Sequence, residues 1–251
     1  MPVTDTPAAQ ETRSPPLFYS SIAPLSQQLH KGFKVRPESK FDYATKTNTV
    51  PLTVPEFSLV ARHYPILLLG DDLVPTAALG VEPGQNLFVT PEGQWTAATY
   101  VPAYIRRYPF ILLGGEDDQL TLGIDTDANA TYEGGRPLFH PDGKETEIIA
   151  QALEFAHQFH NAYLFTREFT EALKKADIVI DCTLEIEPTP GQRVPLGAFK
   201  RIDEEKFKDL PDATILEWRK VGFLHPIYFL LQSMNNWDLL LVKNGMVTTA
   251  K

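Results

Sequence analysis

The 251-residue chain carries 32 acidic and 23 basic side chains, a formal charge of −9, and shows no basic face. That balance excludes nucleic acid as the main partner and a polybasic attachment to membranes. A single cysteine, Cys182, excludes an internal disulfide, and 43% hydrophobic with 22% charged residues is ordinary for a soluble globular protein.

Residues 1–17 are polar and rich in Thr, Pro and Ala, and read as a disordered tail. Residues 18–251 read as one α+β domain. The N-terminus lacks the apolar core of a signal peptide, and no apolar run approaches the roughly 20 residues that span a bilayer. The expected location is cytoplasmic, with no membrane insertion.

In chain order, Phe41 to Ala44 reads as a short extended piece and Thr45 to Thr49 as a polar loop. Pro55 and Glu56 suit the first turn of a short helix with Phe57, Val60 and Ala61 on its apolar face. Pro65 stops that helix, and Ile66 to Leu69 follows as a buried strand. Pro75 to Leu79 and Leu87 to Val89 are further strands, separated by a turn at Glu82 to Gln85. The pattern then recurs. Tyr104 and Ile105 occupy a helical turn, Phe110 to Leu113 a strand, Gly114 to Asp118 a turn and Leu120 to Ile124 a strand. Asp125 to Arg136 reads as a polar loop.

Both stretches run from Val-Pro through an aromatic, a basic residue and Tyr-Pro to four apolar residues and Gly. Tyr64-Pro65 and Tyr108-Pro109 are 44 residues apart. Each stretch then reaches a Leu-Gly, at Leu79 and Leu122, and a Leu-Phe, at Leu87 and Leu138. The expectation is two tandem helix-strand-strand units, at about 50–93 and 98–143, packed on one another in a mixed or antiparallel sheet.

Beyond Gly143 the apolar period becomes helical. One helix is expected from Glu145 to about Ala162, and a second, capped by Thr166, to Ala176. Ile178 to Ile186 and Pro195 to Ile202 form a further hairpin about a turn at Gly191 to Val194. Asp203 caps Glu204 to Leu210, Ile215 to Val221 is amphipathic and ends at Gly222, and His225-Pro226 opens an apolar helix to Met234. Leu239 to Val242 reads as a last strand. The mixture of elements favours α+β over a doubly wound sheet.

Phe41-x-Tyr-Ala, Asn48-x-Val-Pro-Leu, Glu56-Phe57, Tyr64-Pro-Ile, Asn86-Leu-Phe-Val and Tyr100 to Phe110 resemble the SapC family of bacterial proteins. Gly123-Ile-Asp, Val221-Gly-Phe-Leu and Ile227-Tyr228 extend the resemblance over roughly Tyr19 to Val242. It implies an accessory role in surface-layer or outer-membrane uptake systems, and it supplies no catalytic residues.

Several groups carry chemistry on paper. Arg106-Arg107, between Tyr104 and Tyr108, can grip an anionic ligand, since guanidinium forks onto carboxylate and phosphate. The acidic turns Asp71-Asp72 and Glu116 to Asp118 offer the same arginines internal partners. His140-Pro-Asp142 has the His-x-Asp spacing of an iron facial triad, with His225 as a distal third ligand. In the recurring pattern the same residues are a plain turn. His157 and His160 share a helix face without a third ligand. Asp125-x-Asp-x-Asn129 opens like a calcium loop but lacks the glycine and the closing glutamate. Cys182 sits in an apolar strand and reads as inert.

The expectation is therefore a non-catalytic accessory protein without a cofactor. It binds a partner protein or small ligand, neither identified, through Tyr104, Arg106, Arg107 and Tyr108. The alternative is a non-haem Fe(II)/2-oxoglutarate-type oxygenase using His140, Asp142 and His225.

Overall fold

The computed structural model describes residues 15–114, 119–128, 134–189 and 192–246. The tail expected at 1–17 therefore lies outside the described residues up to position 14, as does the turn expected at Glu116 to Asp118.

Among the described residues the strands form three antiparallel sheets. Ile22–Pro24 (β1) and Phe110–Gly114 (β6) flank Leu120–Asp125 (β7). Lys34–Val35 (β2) pairs with Arg136–Pro137 (β8). The largest sheet has the order Thr49–Pro51 (β3), Val74–Ala78 (β5), Ile66–Leu69 (β4), Gln192–Ile202 (β10), Val179–Thr189 (β9). Antiparallel sheets with helices make the class α+β, as expected. The two N-terminal hairpins, β4–β5 and β6–β7, nevertheless belong to different sheets. The C-terminal hairpin extends the first through Lys200 opposite Leu68.

A first short helix, Gln27–His30 (α1), precedes β2, and each N-terminal hairpin follows a short helix of its own. A 3-10 turn at Val54–Glu56 runs into Phe57–Val60 (α2), and Ala103–Arg106 (α3) precedes β6. The proline after each Tyr receives the same closing bond, Ala78 N–H to Pro65 O and Asp125 N–H to Pro109 O, both 3.0 Å. In that register Leu79-Gly80 and Leu122-Gly123 do not occupy corresponding places. The later turns match closely. Gly93 N–H reaches Thr90 O at 2.8 Å and Gly143 N–H reaches His140 O at 2.9 Å, with both glycines at positive φ.

Four local expectations are corrected. Asp42–Ala44 is a 3-10 turn, not an extended piece. Leu87 to Val89 contributes only a bridge, Val89 to Trp95. There the Asn86 side chain takes the Phe88 N–H at 2.9 Å, which removes a donor that a ladder would need. The two helices expected from Glu145 to Ala176 are one, Glu147–Ala176 (α4). Thr166 does not cap; its hydroxyl bonds back to Ala162 O at 2.6 Å within the helix. The helix ends where Asp177 turns left-handed, at φ +51°. Finally, Leu239 to Val242 is helical, inside Asn236–Lys243 (α8), with Leu240 and Leu241 buried and their neighbours exposed. A run of four apolar residues fits either period, and without a neighbouring strand the helix wins.

Glu204–Lys208 (α5), capped by the Asp203 carboxylate, Asp212–Val221 (α6), closed by left-handed Gly222, and Leu224–Ser233 (α7) fall where expected. α7 and α8 close one side of the large sheet. Ser233 Oγ accepts Ile66 N–H at 3.0 Å, and Asn236 Nδ2 donates to Ala61 O and Tyr64 O.

Two hydrophobic clusters result. The larger gathers Phe57, Tyr64, Ile66, Leu68, Phe169 and Leu173; the smaller gathers Phe110, Ile124, Leu138, Phe139 and Ile149. α4 spans both, its first half on the smaller cluster and its second on the larger. The space left where it crosses from one to the other is the setting of the candidate site.

Candidate ligand-binding site

α3 places the two arginines. Pro102 leads into it, the Ala103 N–H is accepted by Glu56, and Tyr104 and Arg107 lie three residues apart, on one side of the turn. Tyr104 is buried, Arg107 and Tyr108 half-buried, and Arg106 exposed. The structure thus brings all four predicted residues into one region, together with residues distant in sequence.

Arg107 is enclosed by rings. Its guanidinium carbon lies 3.9 Å from the centroid of Tyr104, 4.6 Å from Phe159 and 5.5 Å from Tyr19. Its Nε is buried and has no hydrogen-bond acceptor. Among the described residues its guanidinium forms no hydrogen bond and no ion pair. Arg106 is held differently. Its Nε donates to Val101 O and Nη2 to the Tyr100 hydroxyl, both 3.0 Å, and it lies over Phe155 at 5.0 Å.

Among the described residues, no acid partner reaches these arginines. Asp72 pairs with Lys174 at 3.4 Å, and Glu116 to Asp118 lie outside the described residues.

Tyr108 joins an aromatic cluster, 4.5 Å from Tyr43 and 5.3 Å from Tyr19 between centroids. The hydroxyls point to fixed acceptors: Tyr19 to Phe110 O at 2.6 Å, Tyr43 to Ile105 O at 2.8 Å, Tyr108 to Asp125 Oδ2 at 3.2 Å. Burial pushes all three phenols far above the ordinary tyrosine value, and the Asp125 charge adds to the rise at Tyr108. They stay neutral and serve as walls and anchors, not as acids or bases near neutrality.

Two cavities meet at Arg107. The first, about 450 Å³, is bounded by β2, the 3-10 turn at Tyr43, α3 and the start of α4. Its described lining includes Arg36, Lys40, Arg106, Arg107 and Arg136 against one carboxylate, Glu38. On a chain of net charge −9 this is a local reversal of sign. Arg36 pairs with Asp42, Arg136 with Glu38 at 2.7 Å, and Lys40 Nζ donates to Glu92 O at 2.7 Å. Arg106 and Arg107 are left without a carboxylate among the described residues. The second cavity, about 930 Å³, lies between β5, β6 and α4.

Arg36, Arg136, Tyr43 and Phe155 were invisible to sequence spacing, because they arrive from the residue after β2, from β8, a 3-10 turn and α4. Only the pairing of Arg106 with Arg107 carried a signal.

The remaining candidates do not assemble. His140 and Asp142 sit exposed in their turn, where Asp142 accepts the Lys144 N–H at 3.1 Å and faces its ammonium at 3.4 Å. That backbone bond and the Lys144 charge hold the carboxyl below its ordinary value. His225 is exposed on α7. Among the described residues no three His, Cys, Asp or Glu side chains form a metal-holding group. Asp125 is a structural anchor, accepting Ser20 N–H, Ser21 N–H, Asp127 N–H and the Tyr108 hydroxyl. His157 is exposed, His160 lines the second cavity, and Cys182 is half-buried on β9.

The SapC family model matches residues 25–240. The chain belongs to the SapC family. This span takes in all of α4 and the described lining of both cavities except Pro16, while Tyr19, whose ring flanks Arg107, precedes it. No curated protein and no solved structure matches the chain. Among the described residues no helix is long and apolar enough to cross a membrane.

Proposed function

We propose that this SapC protein is a non-catalytic accessory protein that captures an anionic ligand at Arg106 and Arg107. In keeping with the family resemblance, it would serve a bacterial surface-layer or outer-membrane uptake system. One observation carries the binding reading: Arg107 is half-buried among three aromatic rings, with a buried Nε that nothing in the described protein accepts. Buried polar groups are almost always paired, and an unpaired guanidinium on a residue that lines two cavities is explained by a ligand that supplies an acceptor.

The neighbouring charges support this. Asp42 and Glu38 balance Arg36 and Arg136, so the unbalanced positive charge of this cavity's described lining includes Arg106 and Arg107.

The test is native mass spectrometry of the protein purified gently from its own host. The expected result is extra mass from an anionic small molecule that is lost in the Arg106→Ala/Arg107→Ala variant while the thermal melt stays close to wild type. A bare chain that acquires no anion, or an unchanged load in the double variant, would refute it. Extra mass from a polypeptide would replace the small ligand with a protein partner.

A further inference from the structure

Arg107, Phe110 and Ala156 line both cavities, so the unpaired guanidinium stands at the junction of a basic compartment and a larger one of different character. The second compartment is walled by Leu52, Phe110, Ile111, Leu112 and Phe159, with Tyr163 beside them. Its charged lining residues Asp72, Arg167 and Glu171 are exposed and mark the solvent edge. Building on the anion-capture reading, we infer that the two compartments form one amphipathic site. Its ligand is a small monocarboxylate with an elongated apolar body, the carboxylate on Arg107 and the body between β6 and α4.

Charge selects the head group. Asp42 and Glu38 neutralise Arg36 and Arg136, and Arg106 spends two donors on Val101 O and the Tyr100 hydroxyl. Of the two arginines without a carboxylate among the described residues, Arg107 is the one that lines both compartments and makes no hydrogen bond there, and one guanidinium matches one carboxylate through two parallel bonds. A phosphate monoester brings roughly −1.5 to −2, more than the one guanidinium at the junction offsets.

Shape and solvation select the body. A cavity of about 930 Å³ is at the upper end of ordinary small-molecule sites, which use mostly apolar walls and few polar contacts to orient the ligand. A carboxylate without an apolar body would leave those walls wet and forgo their burial.

The experiment is isothermal titration of the full chain with decanoate, 6-phenylhexanoate, decanol and inorganic phosphate. Expected is binding of at least one of the two carboxylates, one per chain, with decanol weaker by at least about tenfold. Arg107→Met should cost the carboxylate a similar factor and leave decanol unchanged. Leu112→Trp, which fills the second compartment, should abolish carboxylate binding. If that variant does not fold, Leu112→Ala should instead shift preference toward longer chains.

Failure of both carboxylates, with phosphate captured and lost in Arg107→Met, overturns the amphipathic ligand and leaves anion capture standing. Equal binding of decanoate and decanol, unaffected by Arg107→Met, overturns both. Carboxylate binding that survives Leu112→Trp and shows no chain-length response in Leu112→Ala removes the second compartment from the site.

Discussion

The Glu56 carboxylate accepts the backbone N–H of Ala103 at 2.8 Å, tying the Val54-Pro55 turn to the Val101-Pro102 turn 47 residues later. The same side chain accepts Thr53 N–H at 2.7 Å, the Thr53 hydroxyl at 3.1 Å and the Tyr100 hydroxyl at 3.2 Å. It therefore closes a capping box on its own helix while capping α3 from outside. Through Tyr100 it also reaches Arg106 and so braces one edge of the candidate site.

Glu56→Ala leaves two buried N–H groups, of Thr53 and Ala103, without acceptors. With about 1–3 kcal/mol for each such group, the expected loss is about 2–6 kcal/mol. Urea denaturation measures it; a loss below about 0.5 kcal/mol, the range of indifferent surface changes, would show that water replaces the carboxylate.

The same residue sets a pH dependence. Burial raises the Glu56 carboxyl above the ordinary glutamate value, outweighing the hydrogen bonds from Ala103, Thr53 and Tyr100 that lower it. Between the ordinary and the raised value the folded chain keeps a proton that the unfolded chain has released. The contribution of Glu56 is then greatest below the ordinary value, falls as pH rises through the window, and is level above it. Glu56→Gln should lack that slope. Urea midpoints of both chains, followed from acid to neutral pH, should diverge across the window; parallel curves would count against the shift.

Arg107→Met separates function from structure. Arg107 has its ring contacts and, among the described residues, neither a hydrogen bond nor a counter-ion. Methionine keeps the apolar stem and removes the charge, so stability should stay within about 1 kcal/mol of wild type or rise. A drop of several kcal/mol in chemical denaturation would make the arginine a structural residue.

Thr166 holds α4 to the first helical turn: its hydroxyl accepts Val54 N–H at 2.8 Å across 112 residues. Thr166→Val keeps the shape and strands that N–H, and about 1–3 kcal/mol should be lost. Hydrogen exchange should show the Val54 amide newly unprotected, whereas unchanged protection would mean another acceptor takes it.

Much of the fold was legible because its causes are local. Pro55 and Glu56 announce the first helical turn, Asp203 caps α5 by accepting Glu205 and Lys206 N–H, and Gly222 stops α6 at φ +86°. The α+β class and the pairing of Arg106 with Arg107 could be read for the same reason, since composition and neighbours are visible in one dimension. Thr166 was misread because a threonine before an acidic turn looks like a cap until the helix is seen to continue through it.

The sequence by itself determined the α+β class, the short helices and their stops, and an Arg-Arg step flanked by tyrosines, all set by torsional preference and periods of two or 3.6 residues. Only the tertiary structure decided that Leu239 to Val242 coil, that α4 runs unbroken, and that Asp72 binds Lys174 rather than an arginine. It also brought Arg36 from just after β2, Arg136 from β8, and Phe155 and Phe159 from α4 to the arginines at the end of α3. Those outcomes depend on which surfaces exclude water from one another over separations of tens of residues, and no local preference encodes that choice.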